Sequence, residues 1–129
     1  MNSRLSSSME NYLKTIHLIK MDRGVVRVKD IAGSMAITMP SVSSALKQLE
    51  KQHLVWHSRY EWVDLTDEGL KVASNVCRRH NVIKHFLSEI LGIDPVIAEK
   101  DACGMEHSIS PETLERLVEF VESGAEKPE

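Results

Sequence analysis

Four residues in the second half of the sequence have the types and the spacing of a transition-metal site. Cys103, Glu106 and His107 are spaced i, i+3 and i+4, so in a helix they share one face within about one turn. His80 lies upstream, where a second helix can bring it to that face. Thiolate, carboxylate and imidazole are together the ligand types of a transition-metal site. The spacing therefore predicts a metal-binding cluster built on two packed helices.

Each of these residues also has an ordinary structural explanation. A single cysteine is usually a small core residue, which is the interpretation that we favour for Cys77. A single histidine or glutamate on a helix usually faces solvent. The spacing of a zinc finger is absent, since the chain has no CxxC pair. The metal hypothesis therefore depends on three ligand types sharing one helix face.

Length and composition limit the classes of protein to consider. The 129 residues suit one domain, or two small helical units. A content of 42% hydrophobic and 27% charged residues is typical of a globular protein and argues against disorder for most of the chain. No run of about 18 apolar residues and no apolar N-terminal segment occur, so we expect neither a membrane span nor a secretory signal. Two cysteines make no disulfide framework, and we expect a reducing cytoplasmic location.

Charge is divided unevenly along the chain. The formal net charge is −3, but residues 1–60 carry a net +5 and residues 61–129 a net −8. The asymmetry suggests that the N-terminal half faces a polyanion and that the acidic half has another role.

Apolar residues at helical spacing, together with capping residues, predict a mainly α-helical chain. The predicted helices span about 8–22, 29–35, 39–52, 66–91, 95–107 and 111–122. Aromatic and β-branched residues over 54–59 and 60–65 predict a small β-hairpin, and residues 25–28 an extended connector. Thr38, Thr66, Asp94 and Ser110 are expected to cap the helices that follow them.

The order helix, short helix, turn, helix and hairpin is that of a winged helix-turn-helix. Such a fold suits DNA, because the major groove admits one α-helix whose first turns present small polar side chains to the bases. Any single serine on that helix can be merely solvent-exposed, so the prediction rests on the helix pair, the hairpin and the local positive charge together. The predicted DNA-binding residues are Arg27, Lys29, Pro40, Ser41, Ser43, Ser44, Lys47, Lys51 and Arg59.

Three segments carry a resemblance to a known family: SMENYLKTI at 8–16, RRH at 78–80, and DACGMEHSIS at 101–110. With the winged helix-turn-helix pattern, they resemble the diphtheria toxin repressor and manganese transport regulator family of metal-dependent transcriptional regulators. The resemblance covers about residues 6–123 and is closest to the short, two-domain type. It implies a DNA-binding domain over 1–74, a helical metal-binding and dimerisation domain over 75–129, and a homodimer on operator DNA. It also implies that Cys103, Glu106, His107 and His80 match metal ligands.

Several positions depart from the family pattern. Asn11 stands where the family has a methionine or aspartate ligand, and it offers only an uncharged oxygen. Lys14 and Cys103 stand where manganese-sensing members have carboxylates, whereas iron-sensing members have the cysteine. Lys84 and Glu99 stand where the ancillary site of iron-sensing members has a glutamate and a histidine. Glu99 remains a candidate ligand, because it lies one turn before Cys103.

The thiolate of Cys103 favours a borderline metal over the harder Mn²⁺. We therefore expect Fe²⁺ as the cofactor, with Mn²⁺ second, and binding of Zn²⁺, Co²⁺ or Ni²⁺ in vitro. The expected outcome is repression of metal-uptake genes when metal is abundant, through a separation of the two recognition helices near the ~34 Å repeat of the major groove.

Two other hypotheses use the same residues. Cys103 could be a redox switch in a winged-helix regulator that responds to no metal. The ligands could also belong to a metalloenzyme with an open coordination position. Because the sequence has no Gly-rich phosphate loop and no evident base beyond the ligands, we expect no enzyme, no small-molecule substrate and no membrane partner.

Overall fold

The computed structural model describes residues 5–58 and 62–124. Within these residues it contains six helices and three short strands, so the predicted mainly α-helical fold is confirmed. The helices are α1 (Ser7–Arg23), α2 (Val28–Met35), α3 (Met39–Lys51), α4 (Asp67–His85), α5 (Pro95–Ser108) and α6 (Pro111–Glu122). The strands are β1 (Val26–Arg27), β2 (Val55–His57) and β3 (Trp62–Leu65). Contacts divide the chain inside α4 into an N-terminal unit ending at Asn75 and a C-terminal unit beginning at Val76.

Small polar side chains fix where the helices begin. Thr38 accepts a hydrogen bond from the Ser41 amide at 3.3 Å, and the predicted caps before α4, α5 and α6 make equivalent bonds. Each bond satisfies an amide that has no partner inside its own helix, which stabilises a helix by about 1 kcal/mol. At the other end of α1, Gly24 adopts a left-handed conformation with φ of 81° and ends the helix.

The three strands form an antiparallel sheet in the order β1–β3–β2. Val63 of β3 is paired with Val26 of β1 on one side and with His57 of β2 on the other. The predicted hairpin is thus present, but the predicted connector over residues 25–28 is in part an additional strand. Two residues are too few for a period-2 pattern, so the sequence showed only their extended character. The hairpin tip with Arg59 lies outside the described residues.

One hydrophobic core holds α1, α2, α3 and the sheet together in the N-terminal unit. Its fully buried side chains include Leu13, Ile16, Ile31, Leu46 and Leu49. Burying each of these side chains contributes on the order of 1.5–3 kcal/mol. Because α3 contributes its apolar face to this core, its opposite face is left towards solvent.

The start of α4 lies against the segment that leads into β2. The Thr66 amide donates to the Leu54 carbonyl at 3.1 Å, and the Thr66 hydroxyl donates to the His53 carbonyl at 2.7 Å. Gly69 follows in the first turn, and a Cβ at this position would overlap the carbonyl oxygen of Leu54. The glycine therefore permits the close approach of α4 to this backbone.

The C-terminal unit has its own small core, built on Ile83, Leu87, Ala98 and Ala102. The predicted helix from residue 66 to 91 is helical without a break to Ile90, but α4 stops at His85 and the last turn, Phe86–Ile90, is π-helical. In that turn the Leu91 amide bonds to the Phe86 carbonyl at 3.0 Å, five residues back. Among the described residues, no helix combines the length and the apolar character that crossing a membrane requires.

Candidate metal centre and nucleic-acid interface

His80, Cys103 and Glu106 form a compact group of metal-binding side chains in the C-terminal unit. One donor atom from each residue lies within 4.8 Å of the other two. The carboxylate of Glu106 is fully buried, His80 is nearly so, and Cys103 is exposed. The cluster therefore has a buried side and reaches the surface at Cys103.

Two helices position the cluster. His80 extends from α4, whereas Cys103 and Glu106 lie three residues apart on α5. The fully buried Ala98 and Ala102 leave no bulk on the inner side of α5. The two helices are joined directly, because Nδ1 of His80 lies 2.7 Å from Oε1 of Glu106.

A second carboxylate contacts the other ring nitrogen of His80. Nε2 of His80 lies 2.9 Å from Oε2 of Glu99, and Oε1 of Glu99 lies 3.1 Å from Nζ of Lys84. The hydrogen bond with His80, together with the ammonium group of Lys84, lowers the pKa of Glu99 below its ordinary value, although partial burial opposes the change. The His80 ring is therefore held between two carboxylates.

The other predicted ligands are placed differently. Nε2 of His107 lies 3.7 Å from Oε2 of Glu106, and its side chain is 13% exposed. His107 is thus beside the three-residue cluster and not part of it. Asn11 is half-buried on α1 of the N-terminal unit. Cys77, which we expected to be a core residue, is half-buried on α4 and is not part of the cluster.

The donor set fits a divalent transition metal. A buried carboxylate is costly unless a positive partner compensates it, and Glu106 meets a thiol and an imidazole, the donors that complete a metal site. Bonds of about 2.0–2.3 Å from two such donors to one ion set the donors farther apart than the 2.7 Å between Nδ1 of His80 and Oε1 of Glu106, so this pair would separate slightly to admit an ion.

A polar helix face forms the candidate nucleic-acid interface in the N-terminal unit. Val42, Leu46 and Leu49 of α3 are buried in the core. Its remaining face exposes five of the predicted contact residues, namely Pro40, Ser41, Ser44, Lys47 and Lys51. Ser43 is half-buried, whereas Ser41 and Ser44 are exposed, so Ser43 is less available to a partner.

The structure adds an aromatic partner for Arg27, one of the predicted DNA-binding residues. Arg27 and Lys29 are both exposed, and the guanidinium carbon of Arg27 lies 5.1 Å from the ring centre of Trp62. This cation–π contact holds the guanidinium group on the outer face of the sheet. Trp56 on β2 is also exposed, at 65%. The sequence signal for this contact was the presence of two tryptophans in the two strands of the predicted hairpin.

Family comparisons match nearly the whole chain in two segments. Residues 4–63 match the N-terminal DNA-binding domain of iron-dependent repressors. Residues 66–129 match the metal-binding and dimerisation domain of the same repressors. The polar face of α3 falls in the first segment and the His80 cluster in the second.

Individual relatives agree with this assignment. An uncharacterized HTH-type transcriptional regulator of Methanocaldococcus jannaschii is 35% identical, over 95% of this chain and 99% of its own length. The HTH-type transcriptional regulator MntR of Shouchella clausii is 32% identical, over 89% of this chain and 80% of its own. A solved structure of a manganese-dependent transcriptional repressor in complex with manganese superimposes with a TM-score of 0.79 at 27% identity, covering 90% of this chain. The chain spans about half of that structure, 52%. The chain belongs to the iron-dependent repressor family of metal-dependent transcriptional regulators, which includes the manganese regulators MntR.

Proposed function

We propose that this chain represses transcription by binding operator DNA as a homodimer when a divalent transition metal is bound. The observation that carries the proposal is the group of His80, Cys103 and Glu106 in the segment that matches a metal-binding domain. The exposed polar face of α3 lies in the segment that matches a DNA-binding domain. Because its target is operator DNA, the proposed site of action is the cytoplasm.

The proposed ligands are His80, Cys103 and Glu106, with His107 adjacent to them. The bound ion would supply positive charge to the buried carboxylate of Glu106 and would order α4 and α5 around the cluster. The cysteine supports Fe²⁺ as the physiological metal. Mn²⁺ is second, since two of the relatives described above are a manganese-dependent repressor and a regulator named MntR.

Metal raises DNA affinity only if it binds the DNA-competent state more tightly than the other states. Changing the populations of two such states from 1:99 to 99:1 requires about 5.5 kcal/mol of differential binding. Structural metal sites supply on the order of 10 kcal/mol or more of binding free energy, so a difference of this size between two states lies within their range.

The direct test is binding to the DNA upstream of the chain's own coding sequence, titrated anaerobically with Fe²⁺, Mn²⁺ and Zn²⁺ under reducing conditions. We expect the affinity for DNA to rise with each metal. When a chelator is present, no metal should raise it. Metal-independent binding that responds instead to oxidation of Cys103 would favour the redox hypothesis. The same titration with Asn11→Ala tests whether Asn11 contributes to metal binding.

The DNA interface gives two distinguishable mutational effects. Lys47→Ala removes an exposed charge facing the phosphates, so we expect weaker binding to every sequence and a salt dependence flatter by about one unit. Ser44→Ala is expected to change sequence preference while leaving the salt dependence intact. Both are measured by fluorescence anisotropy on operator and random duplexes at several salt concentrations.

Lys71→Ala is the matched control for Lys47→Ala, because Lys71 is exposed on α4, is not one of the predicted DNA-binding residues, and pairs with Glu68 at 3.9 Å. It should leave DNA affinity close to that of the wild type. Equal losses in the Lys47 and Lys71 variants would show that net charge, and not the α3 face, determines binding.

We propose that the dimer forms through the exposed apolar side chains around the start of α5. Leu91, Val96 and Ile97 are 54%, 78% and 53% exposed in the C-terminal unit, which matches a dimerisation domain. Phe86, Leu87, Leu114 and Leu117 of the same unit pack in its own core.

The double substitution Val96→Asp with Ile97→Asp is therefore expected to convert a dimer into a monomer at micromolar concentration in sedimentation velocity. Charged groups facing one another across an apolar interface are costly to bury. Met21→Asp, at another exposed apolar residue on α1, should leave the dimer intact. A dimer that persists in the double variant would place the interface elsewhere.

A further inference from the structure

His80 contacts Glu99, which in turn forms an ion pair with Lys84. Glu99 reaches His80 with one oxygen at 2.9 Å and Lys84 with the other at 3.1 Å. His80 and Lys84 are four residues apart on α4, and Glu99 and Cys103 are four residues apart on α5. Each pair therefore lies one turn apart on one face of its helix, and the Lys84–Glu99 ion pair lies one turn away from the cluster.

We propose that Glu99, held by Lys84, is a positioning residue that orients His80 towards Cys103 and Glu106 and does not itself bind the metal. The proposal rests on the metal site proposed above.

The roles of the two ring nitrogens support the assignment. A histidine that binds a metal through one nitrogen almost always donates the N–H of the other to a carboxylate, a backbone carbonyl or water, which fixes the ring and its tautomer. In this chain Nδ1 is directed to Glu106, a member of the cluster, and Nε2 is directed to Glu99. Glu99 is therefore placed to accept the Nε2 proton when Nδ1 binds the metal.

The surroundings of Glu99 argue against a ligand role. Both of its oxygens already have close partners, one on His80 and one on Lys84. It is not among the donors that lie within 4.8 Å of one another. The ammonium group of Lys84 also repels a second cation placed beside Glu99.

The two roles predict opposite effects for Lys84→Met. If Glu99 positions His80, losing the ammonium group loosens the carboxylate and weakens metal binding several-fold. If Glu99 were a ligand, losing the same group would remove a competing cation and strengthen binding. Glu99→Gln should weaken binding by about 10- to 100-fold, the usual effect of removing the outer partner of a histidine ligand.

The probe is Co²⁺, whose absorption bands report its ligands, added anaerobically to the full chain. We expect both variants to bind Co²⁺ more weakly and to reach the wild-type spectrum at saturation. Exposed residues that neighbour the pair provide the matched controls Glu89→Gln and Lys100→Met, which should bind Co²⁺ like the wild type. Tighter binding by Lys84→Met, unchanged affinity in both variants, or an altered saturated spectrum in Glu99→Gln would each overturn the proposal.

A measurement on the metal-free protein separates positioning from general stability. Long-range ¹H–¹⁵N spectra should show a change at Nε2 of His80 in Glu99→Gln and none at His107, with an unfolding midpoint close to that of the wild type. An unchanged His80 signal would contradict the inference. A different result would contradict the proposed function itself: the same Co²⁺ spectrum in the wild type and in Cys103→Ala.

Discussion

Replacing Cys103 with alanine is expected to remove most of the increase in DNA affinity that metal produces. Allosteric couplings of this kind are on the order of 5- to 150-fold. Cys103 supplies the soft donor of the cluster, and metal affinity and DNA coupling fall together because the coupling is reciprocal. The fold and the dimer should be retained, since Cys103 is exposed and alanine is the best helix former. The measurement is DNA affinity against free Fe²⁺, Mn²⁺ and Zn²⁺.

Cys77→Ala is the matched control, because it removes the other cysteine, which lies on α4 outside the cluster. It should leave metal activation unchanged. His107→Ala tests the residue beside Glu106 and should weaken activation as Cys103→Ala does. Full metal activation in both Cys103→Ala and His107→Ala would leave a winged-helix DNA-binding protein without a metal signal.

Cys103→Asp tests the choice of metal. It exchanges a soft thiolate for a hard oxygen donor at the same position, and hard donors suit Mn²⁺ better than thiolates do. We expect the concentration of Mn²⁺ needed for activation to fall relative to that of Fe²⁺ and Zn²⁺. An unchanged order of metals would show that Cys103 does not determine the selectivity.

Most of the fold could be predicted from local signals. Apolar spacing located the helices, and Thr38, Asp94 and Ser110 marked helix starts that the structure shows. Local signals failed where long-range contacts decide the conformation. The pairing of Val26 with Val63 makes a strand from two extended residues, and the wider π-helical turn at Phe86–Ile90 carries Leu87 into the core of the C-terminal unit.

The cluster was predicted only in part, for a geometrical reason. Three residues on, Glu106 lies about 60° to one side of Cys103 around the helix, whereas His107 lies about 40° to the other side. Ala98 and Ala102, both fully buried, lie on the side of Glu106. His80 therefore meets Glu106 and Glu99, and His107 remains beside the group. The i, i+3, i+4 pattern predicted which face of α5 carries the ligands, but not which side of that face packs against α4.

The role of Lys84 was outside what the sequence could show. From the sequence, Lys84 was only a lysine at the position where the ancillary site of iron-sensing members has a glutamate. Its contact with Glu99 joins two long side chains on different helices, and neither their rotamers nor the distance between the helices follows from spacing. Side-chain pairing across helices is therefore the part of the site that needed a structure.

Gly69→Ala is expected to lower the free energy of unfolding by about 3 kcal/mol. The added methyl would overlap the carbonyl oxygen of Leu54, and overpacking typically costs 1–3 kcal/mol. Backbone relief is restricted on that side, because this oxygen accepts the Thr66 amide and the Leu54 amide donates to Leu49. Displacing the carbonyl would therefore also weaken hydrogen bonds that contribute about 1 kcal/mol each.

Gly33→Ala provides the opposite result with the same chemical change. Gly33 lies inside α2, and a Cβ there would meet no atom within 4 Å. Alanine in a helix interior is favoured over glycine by about 0.8–1.0 kcal/mol, so this variant should be more stable than the wild type. The two variants should thus differ by about 4 kcal/mol in urea unfolding of the metal-free chain. Equal stabilities would show that α4 does not approach Leu54 closely, because only that contact distinguishes Gly69 from Gly33 in space.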